Sequence, residues 1–171
     1  DLSLSEIRAR YVDAERALPA ELERQLREDP RKGAQAILRS IERRRRKNRA
    51  EGQRLRRVLS FERALWAEGV TLVAGVDEAG MSPLAGPVVA GAVILPVEHK
   101  IPHVDDSKKL DAATREQLRE VILEEAVAWG VGKVEPEEID RVNIYHAGLL
   151  AMRRAVDALG VTPEHVLVDA R

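Results

Sequence analysis

The runs TLVAGVD (residues 71–77) and GPVVAGAVILP (residues 86–96) constrain the fold more than any other feature of the chain. Both are short, rich in β-branched residues and bounded by Gly or Pro, which reads as strand rather than helix. The residues between them, Ala79-Gly80-Met81-Ser82-Pro83, suit a tight turn, so an antiparallel hairpin is expected. Asp77 and Glu78 sit side by side where the first run ends. Two adjacent carboxylates beside a buried strand repel each other unless solvent or a cation separates them.

The rest of the chain falls on either side of this hairpin. Residues 1–68 carry almost no strand signal. Leu4, Ile7, Tyr11 and Ala14 recur at helical spacing, Leu18, Leu22 and Leu26 continue in pieces broken by Pro19 and Pro30, and Ala34, Ile37, Leu38 and Ile41 mark a further amphipathic helix. A helical extension is expected there. Its last part holds Arg43, Arg44, Arg45, Arg46, Lys47, Arg49, Arg54, Arg56 and Arg57, a run that suits either the solvated face of a long helix or a patch that contacts phosphates.

Residues 69–171 alternate strands with helices. A helix capped by Asp111 is expected to turn Leu118, Val121 and Ile122 inward. AVAWGVGKV reads as a strand with Val127, Trp129 and Val131 on one face, and Glu135 to Asp140 as an acidic turn. A helix from Asn143 to Leu159 carries Ile144, Ala147, Ala151, Ala155 and Leu159 on one stripe, Gly160 stops it, and HVLVDA is a last strand. The order is strand, strand, helix, strand, helix, strand, an α/β domain with a mixed sheet.

Asp77 and Asp169 both end strands, which in an open α/β sheet lie at one edge beside a crevice. Oxygen ligands of this kind suit Mg²⁺ or Mn²⁺, but acids at strand ends also occur in plain turns, and spacing alone leaves both readings open. The absence of cysteine removes thiolate catalysis, disulfides and zinc–thiolate sites. No apolar run approaches the roughly 18 residues of a membrane span, and DLSLSEIRARYVDAER holds no apolar signal core, so a cytoplasmic location is expected. With aromatics at 3% the core must be aliphatic and no platform for stacking bases is evident. A net charge of −1 means that a nucleic-acid partner would be held by a local basic patch. His99, His103, His146 and His165 share no metal-ligand spacing and read as surface or loop residues.

VAGVDEAG followed by PLAGPVVAGAVIL, then DDSKKL before a helix, EEIDRVNI with LLAMRRAV behind it, and VLVDA at a strand end resemble the ribonuclease HII family from Leu72 to Arg171. LRSIERRRRKNRAEGQRLRRVLSFERALWAEG is similar, more loosely, to the helical lead-in of members with an amino-terminal extension. The resemblance implies a ribonuclease H-like mixed sheet with flanking helices, preceded by that extension. It also implies a monomeric endonuclease that hydrolyses the RNA strand of RNA/DNA hybrids, or ribonucleotides embedded in a DNA duplex, and leaves 3′-hydroxyl and 5′-phosphate ends. Two cations, Mg²⁺ or Mn²⁺, would clamp the phosphate about 4 Å apart.

By the same resemblance Asp77, Glu78 and Asp169 are the catalytic, metal-holding carboxylates. Gly80, Met81 and Ser82 match the segment that reads the ribose 2′-hydroxyl, Ser107, Lys108 and Lys109 a loop near the substrate phosphate, and Asn143 a substrate contact that serves equally well as a helix cap. Two departures stand out. The family's fourth carboxylate lies beyond Arg171, so the domain is expected to be incomplete at its carboxy terminus, with one sheet face partly uncovered. Met81 stands where the family carries arginine and cannot supply a guanidinium. A degenerate or truncated homologue that binds duplex without cutting is the competing expectation.

Overall fold

A computed structural model describes residues 2–81 and 85–169. Two compact units divide the chain, Asp1–Arg57 and Val58–Arg171.

The first unit is helical. Helix α1 (Leu4–Arg8) opens on a capping box, in which Ser3 Oγ accepts from the Glu6 backbone N–H and the Glu6 carboxylate accepts from the Ser3 backbone N–H. It runs into a wider π turn over Ala9–Asp13. Pro19 precedes α2 (Ala20–Glu28), and α3 (Lys32–Val58) follows as a 27-residue helix. Ile7, Leu18, Leu26, Ala34, Ile37, Leu38 and Ile41 form the core of this unit, as their helical spacing predicts.

In the second unit, α4 (Ser60–Ala67) precedes β1 (Val73–Ala79) and β2 (Val88–Ile94), which pair antiparallel from Ala74↔Ile94 to Ala79↔Val89. Helix α5 (Ala112–Glu125) begins at Asp111, whose Oδ1 accepts from the Thr114 backbone N–H at 2.7 Å. Strand β3 (Ala128–Val134), α6 (Pro136–Val142), α7 (Ile144–Asp157) and β4 (His165–Val168) complete the unit. The sheet order is β3-β2-β1-β4, and the β1/β4 pair alone runs parallel.

Helix α7 covers one face of this sheet at very short range. Carbon atoms added to Gly130 and Gly132 would lie 2.3 Å from the Ala155 carbonyl oxygen and 2.0 Å from that of Ala151, so helix backbone meets strand backbone with no side chain between. Ala147, Ala151 and Ala155 are fully buried there against Ala90, Ala92, Val88 and Val134. Leu118, Val121 and Ile122 of α5 are half-buried.

One expectation needs correction. Glu135 to Asp140 is not a turn: Pro136 at the first helical position and Glu137 and Glu138 in the first turn start α6, since proline has no N–H to lose there and acids suit the positive helix end. Arg154 donates to both Glu138 carboxylate oxygens at 2.8 Å and to the Lys133 carbonyl at 2.7 Å, joining α6, α7 and β3. That bond from Arg154 holds the Glu138 carboxyl below its ordinary range. Val127, Trp129 and Val131 share a face, as expected, and it is the open one. They are exposed by 50%, 48% and 57%, and their neighbours Gly75 and Gly91 have nothing above them within 4 Å. The buried side of β3 is Ala128, Gly130, Gly132 and Val134, because only residues without bulk admit α7 so closely.

Candidate active site at the strand ends

Strand β1 alternates its side chains, with Ala74, Val76 and Glu78 toward α7 and Gly75 and Asp77 toward the other face. Asp77 is exposed, and its Oδ1 accepts from the Glu78 backbone N–H at 2.8 Å, which orients the carboxylate along the strand end. The parallel ladder with β4 runs from Val73↔His165 to Val76↔Val168. Asp77 and Asp169 are the next residue on each strand, so neighbouring strands deliver them to the same edge. Glu164 anchors the other end of this ladder by accepting from the Thr71 and Leu72 backbone N–H groups at 2.8 Å, which holds its carboxyl below the ordinary range.

Glu78 and Asp169 line one cavity of about 240 Å³ at this edge. Its other walls are Met81, Tyr145, Gly148, Leu149, Met152 and Val168. The apolar wall is what sequence reasoning missed. Tyr145, Leu149 and Met152 form a second stripe on α7 at i, i+4 and i+7, beside the alanine stripe that packs on the sheet. Two apolar stripes on one helix, with one already accounted for by the core, are the signal that points to it.

Gly80 starts the reversal after β1 with φ of +91°, and a carbon added there would lie 2.6 Å from the Pro87 carbonyl oxygen. Left-handed backbone and close approach both demand glycine. Met81 is half-buried and turned inward, its Sδ 3.1 Å and its Cε 3.3 Å from where a side chain on Gly148 would begin. Thioether packing onto a bare helix backbone is what Met81 does in this fold. Ser82 lies outside the described residues.

Other residues expected at the site sit elsewhere or are otherwise engaged. Ser107, Lys108 and Lys109 form an exposed 3₁₀ turn capped by Asp106, which accepts from the Lys108 backbone N–H at 2.9 Å, while Lys109 pairs with Asp105 at 3.2 Å. None of the three lines the cavity. Asn143 adopts φ of +69° between α6 and α7, and its Oδ1 accepts from the His146 backbone N–H at 3.1 Å, so it caps α7.

Carboxylate oxygens are the hard donors that Mg²⁺ or Mn²⁺ takes, and three of them at one sheet edge fit such a cation chemically. Among the described residues, no three acidic or imidazole side chains come close enough together to hold a metal ion.

A mixed sheet whose parallel ladder is followed by an acid on each strand, with a helix laid across one face, is an α/β domain of the ribonuclease H-like class. Family models carry this further: one described as "Ribonuclease HII" matches residues 74–171, and one described as "Ribonuclease HII N-terminal domain" matches residues 3–66. The chain belongs to the ribonuclease HII family. Among curated relatives, ribonuclease HII of Myxococcus xanthus is 59% identical over 99% of this chain and 58% of its own length, and that of an Anaeromyxobacter species 60% identical over 99% and 54%. Ribonuclease HII of Geobacillus thermodenitrificans is 51% identical over 85% of this chain and 56% of its own length. The chain thus spans a little over half the length of these relatives. Among solved structures, ribonuclease H2 of Pyrococcus horikoshii aligns with a TM-score of 0.48 and 28% identity, over 58% of this chain and 51% of that one.

Proposed function

We propose that this chain supplies the metal-holding strand edge of an endoribonuclease acting on RNA/DNA hybrids and on DNA duplexes that contain ribonucleotides. The observation that carries the reading is the β1/β4 register, after which Asp77 and Asp169 follow side by side, with Glu78 in the same cavity as Asp169. Asp77, Glu78 and Asp169 would hold Mg²⁺ or Mn²⁺. When bound, such a cation polarises the phosphate and lowers the pKa of water, the chemistry that phosphodiester hydrolysis needs. Water oxygen bonds to phosphorus and the P–O3′ bond breaks, leaving a 3′-hydroxyl and a 5′-phosphate.

The residues themselves prepare this edge. Asp77 is held by its own neighbour's N–H, and backbone groups of the turn that Gly80 starts would read the ribose 2′-hydroxyl that separates RNA from DNA. Met81 adds no cation to that contact, so junction reading falls to backbone groups and Ser82. The lysine-bearing turn at Ser107–Lys109 would meet the substrate backbone away from the cavity, and Asn143 would touch the substrate from its cap position. We place the chain in the cytoplasm as a monomer.

A second reading, a duplex-binding module that does not cut, rests on Met81, which packs its thioether beside Gly148 and supplies no guanidinium. The test is cleavage of a labelled duplex carrying one ribonucleotide, with Mg²⁺ or Mn²⁺, by the chain and its Asp77→Asn variant. A cut on the 5′ side of the ribonucleotide that the variant abolishes supports the nuclease. Duplex binding that weakens steeply with salt, with no cut in either metal, supports the module.

A further inference from the structure

Helix α3 sorts its cations into two groups. Arg44 donates to the Arg16 carbonyl at 3.0 Å, and Arg45 pairs with Glu23 at 2.8 Å, which also holds Arg27 at 2.7 Å. These arginines tie the helices of the first unit together. Arg39, Arg43, Arg46 and Lys47 are exposed and have no hydrogen-bond or ion-pair partner among the described residues. At 3.6 residues per turn they fall within about 100° of arc, on the side opposite the buried stripe of Ala34, Ile37, Leu38 and Ile41. The run looks continuous in sequence, but Arg44 and Arg45 are engaged within the unit while this stripe is not.

We propose that the Arg39–Arg43–Arg46–Lys47 stripe is a contact surface for the phosphate backbone of a nucleic-acid duplex, indifferent to sequence and to sugar. From Arg39 to Lys47 the stripe runs about 12 Å, which matches about three or four successive phosphates of one strand. Arg43 and Lys47 also line a hollow of about 390 Å³ with Arg8 and Arg44 against a single carboxylate, Glu15, a cationic bed into which a phosphate can settle. The whole chain carries a net charge of only −1, so this field is local, and at physiological salt it reaches about 8 Å. Duplex is favoured over single strands because Tyr11 is the only aromatic residue of the first unit and packs against its core, leaving no ring for bases to stack on. A membrane surface is disfavoured because the apolar side of α3 is buried and cannot insert.

The inference takes its partner from the proposed duplex substrate, and the experiment separates the two. Binding of the full chain to an all-DNA duplex is measured from 50 to 300 mM salt beside the R39Q/R43Q/R46Q/K47Q variant and a charge-matched control lacking Arg24, Arg119, Lys133 and Arg153. Cleavage of a ribonucleotide-containing duplex is scored in parallel. Each phosphate contact steepens the log–log salt slope by about 0.9, so the stripe variant should be shallower by about 3 to 4 than the other two proteins. Between 50 and 200 mM salt it should then lose about 100-fold less affinity than they do. That result supports the stripe whether or not any protein cuts. Equal slopes in all three, tighter binding to single strands, or equal retention by anionic vesicles or poly-glutamate overturns it, and cleavage alongside equal slopes overturns the stripe while leaving the nuclease intact.

Discussion

Replacing Gly132 by alanine tests whether the contact between α7 and β3 sets the architecture of the second unit. The added methyl carbon would stand 2.0 Å from the Ala151 carbonyl oxygen and 2.5 Å from the Ala155 nitrogen, where ordinary contact begins at 3.4 Å. Both obstacles are backbone, so no side-chain end can swing aside, and α7 must retreat from the sheet by about 1 Å or more. Retreat loosens the packing of Ala147, Ala151, Ala155, Val88 and Val134 together, which puts the cost at the upper end of overpacking, about 3 kcal/mol. With a urea dependence of about 1.5 kcal/mol/M the unfolding midpoint should fall by about 2 M. The matched control is Gly91→Ala on the open face, where nothing lies within 4 Å and removing a strand glycine should leave stability unchanged or raise it by about 0.5 to 1 kcal/mol. Trp66 and Trp129 both belong to the second unit, so tryptophan fluorescence follows its unfolding. Equal midpoints for the two variants would refute the claim that α7 lies backbone to backbone on β3.

Acid should act on the first unit through Glu23, whose pKa falls from 4.5 to about 2 because Arg45 and then Arg27 hydrogen-bond to it. A carboxyl depressed in the folded state contributes stability that is complete above pH 4.5 and lost as pH falls toward 2. The difference in thermal midpoint between the parent chain and Glu23→Gln, followed by far-UV circular dichroism, should therefore shrink across that window; a constant difference would contradict it. Asn143→Gly keeps the positive φ and should cost a few tenths of a kcal/mol, whereas Asn143→Ala, losing the cap and straining the backbone, should cost about 1 to 2 kcal/mol. If the stable glycine variant loses duplex affinity, Asn143 touches substrate as well. Asp111→Ala should cost about 1 kcal/mol in urea unfolding by leaving the start of α5 uncapped.

The hairpin was legible because two β-branched runs flanking a glycine turn have one economical arrangement, and α7 because its alanines recur at helical spacing. Trp129 shows where such reading stops. Alternation along β3 separates two faces but cannot say which is buried; the two glycines beside it decide, through a helix whose approach depends on residues some twenty positions away. Acidic residues at Glu135 to Asp140 read as a turn because charge is common in loops, although proline followed by two glutamates is also a favourable helix start. At the site, the acids stand out as charges next to apolar strands, and their neighbourhood follows from the β1/β4 register, which no local pattern encodes. The wall of Tyr145, Leu149 and Met152 stayed hidden because apolar residues on a helix are first assigned to the core.

The backbone contact between α7 and β3 also sets a dimensional tolerance. Where side chains separate a helix from a sheet, each rotamer adds its own play, and the errors accumulate across the layer. Between Gly132 and Ala151 the spacer is the peptide group itself, whose bond lengths and planarity are fixed. The distance of the α7 backbone from β3 is therefore set by peptide dimensions rather than by rotamers, and the side chains of Tyr145, Leu149 and Met152 project toward Glu78 and Asp169 from a helix seated at that fixed spacing.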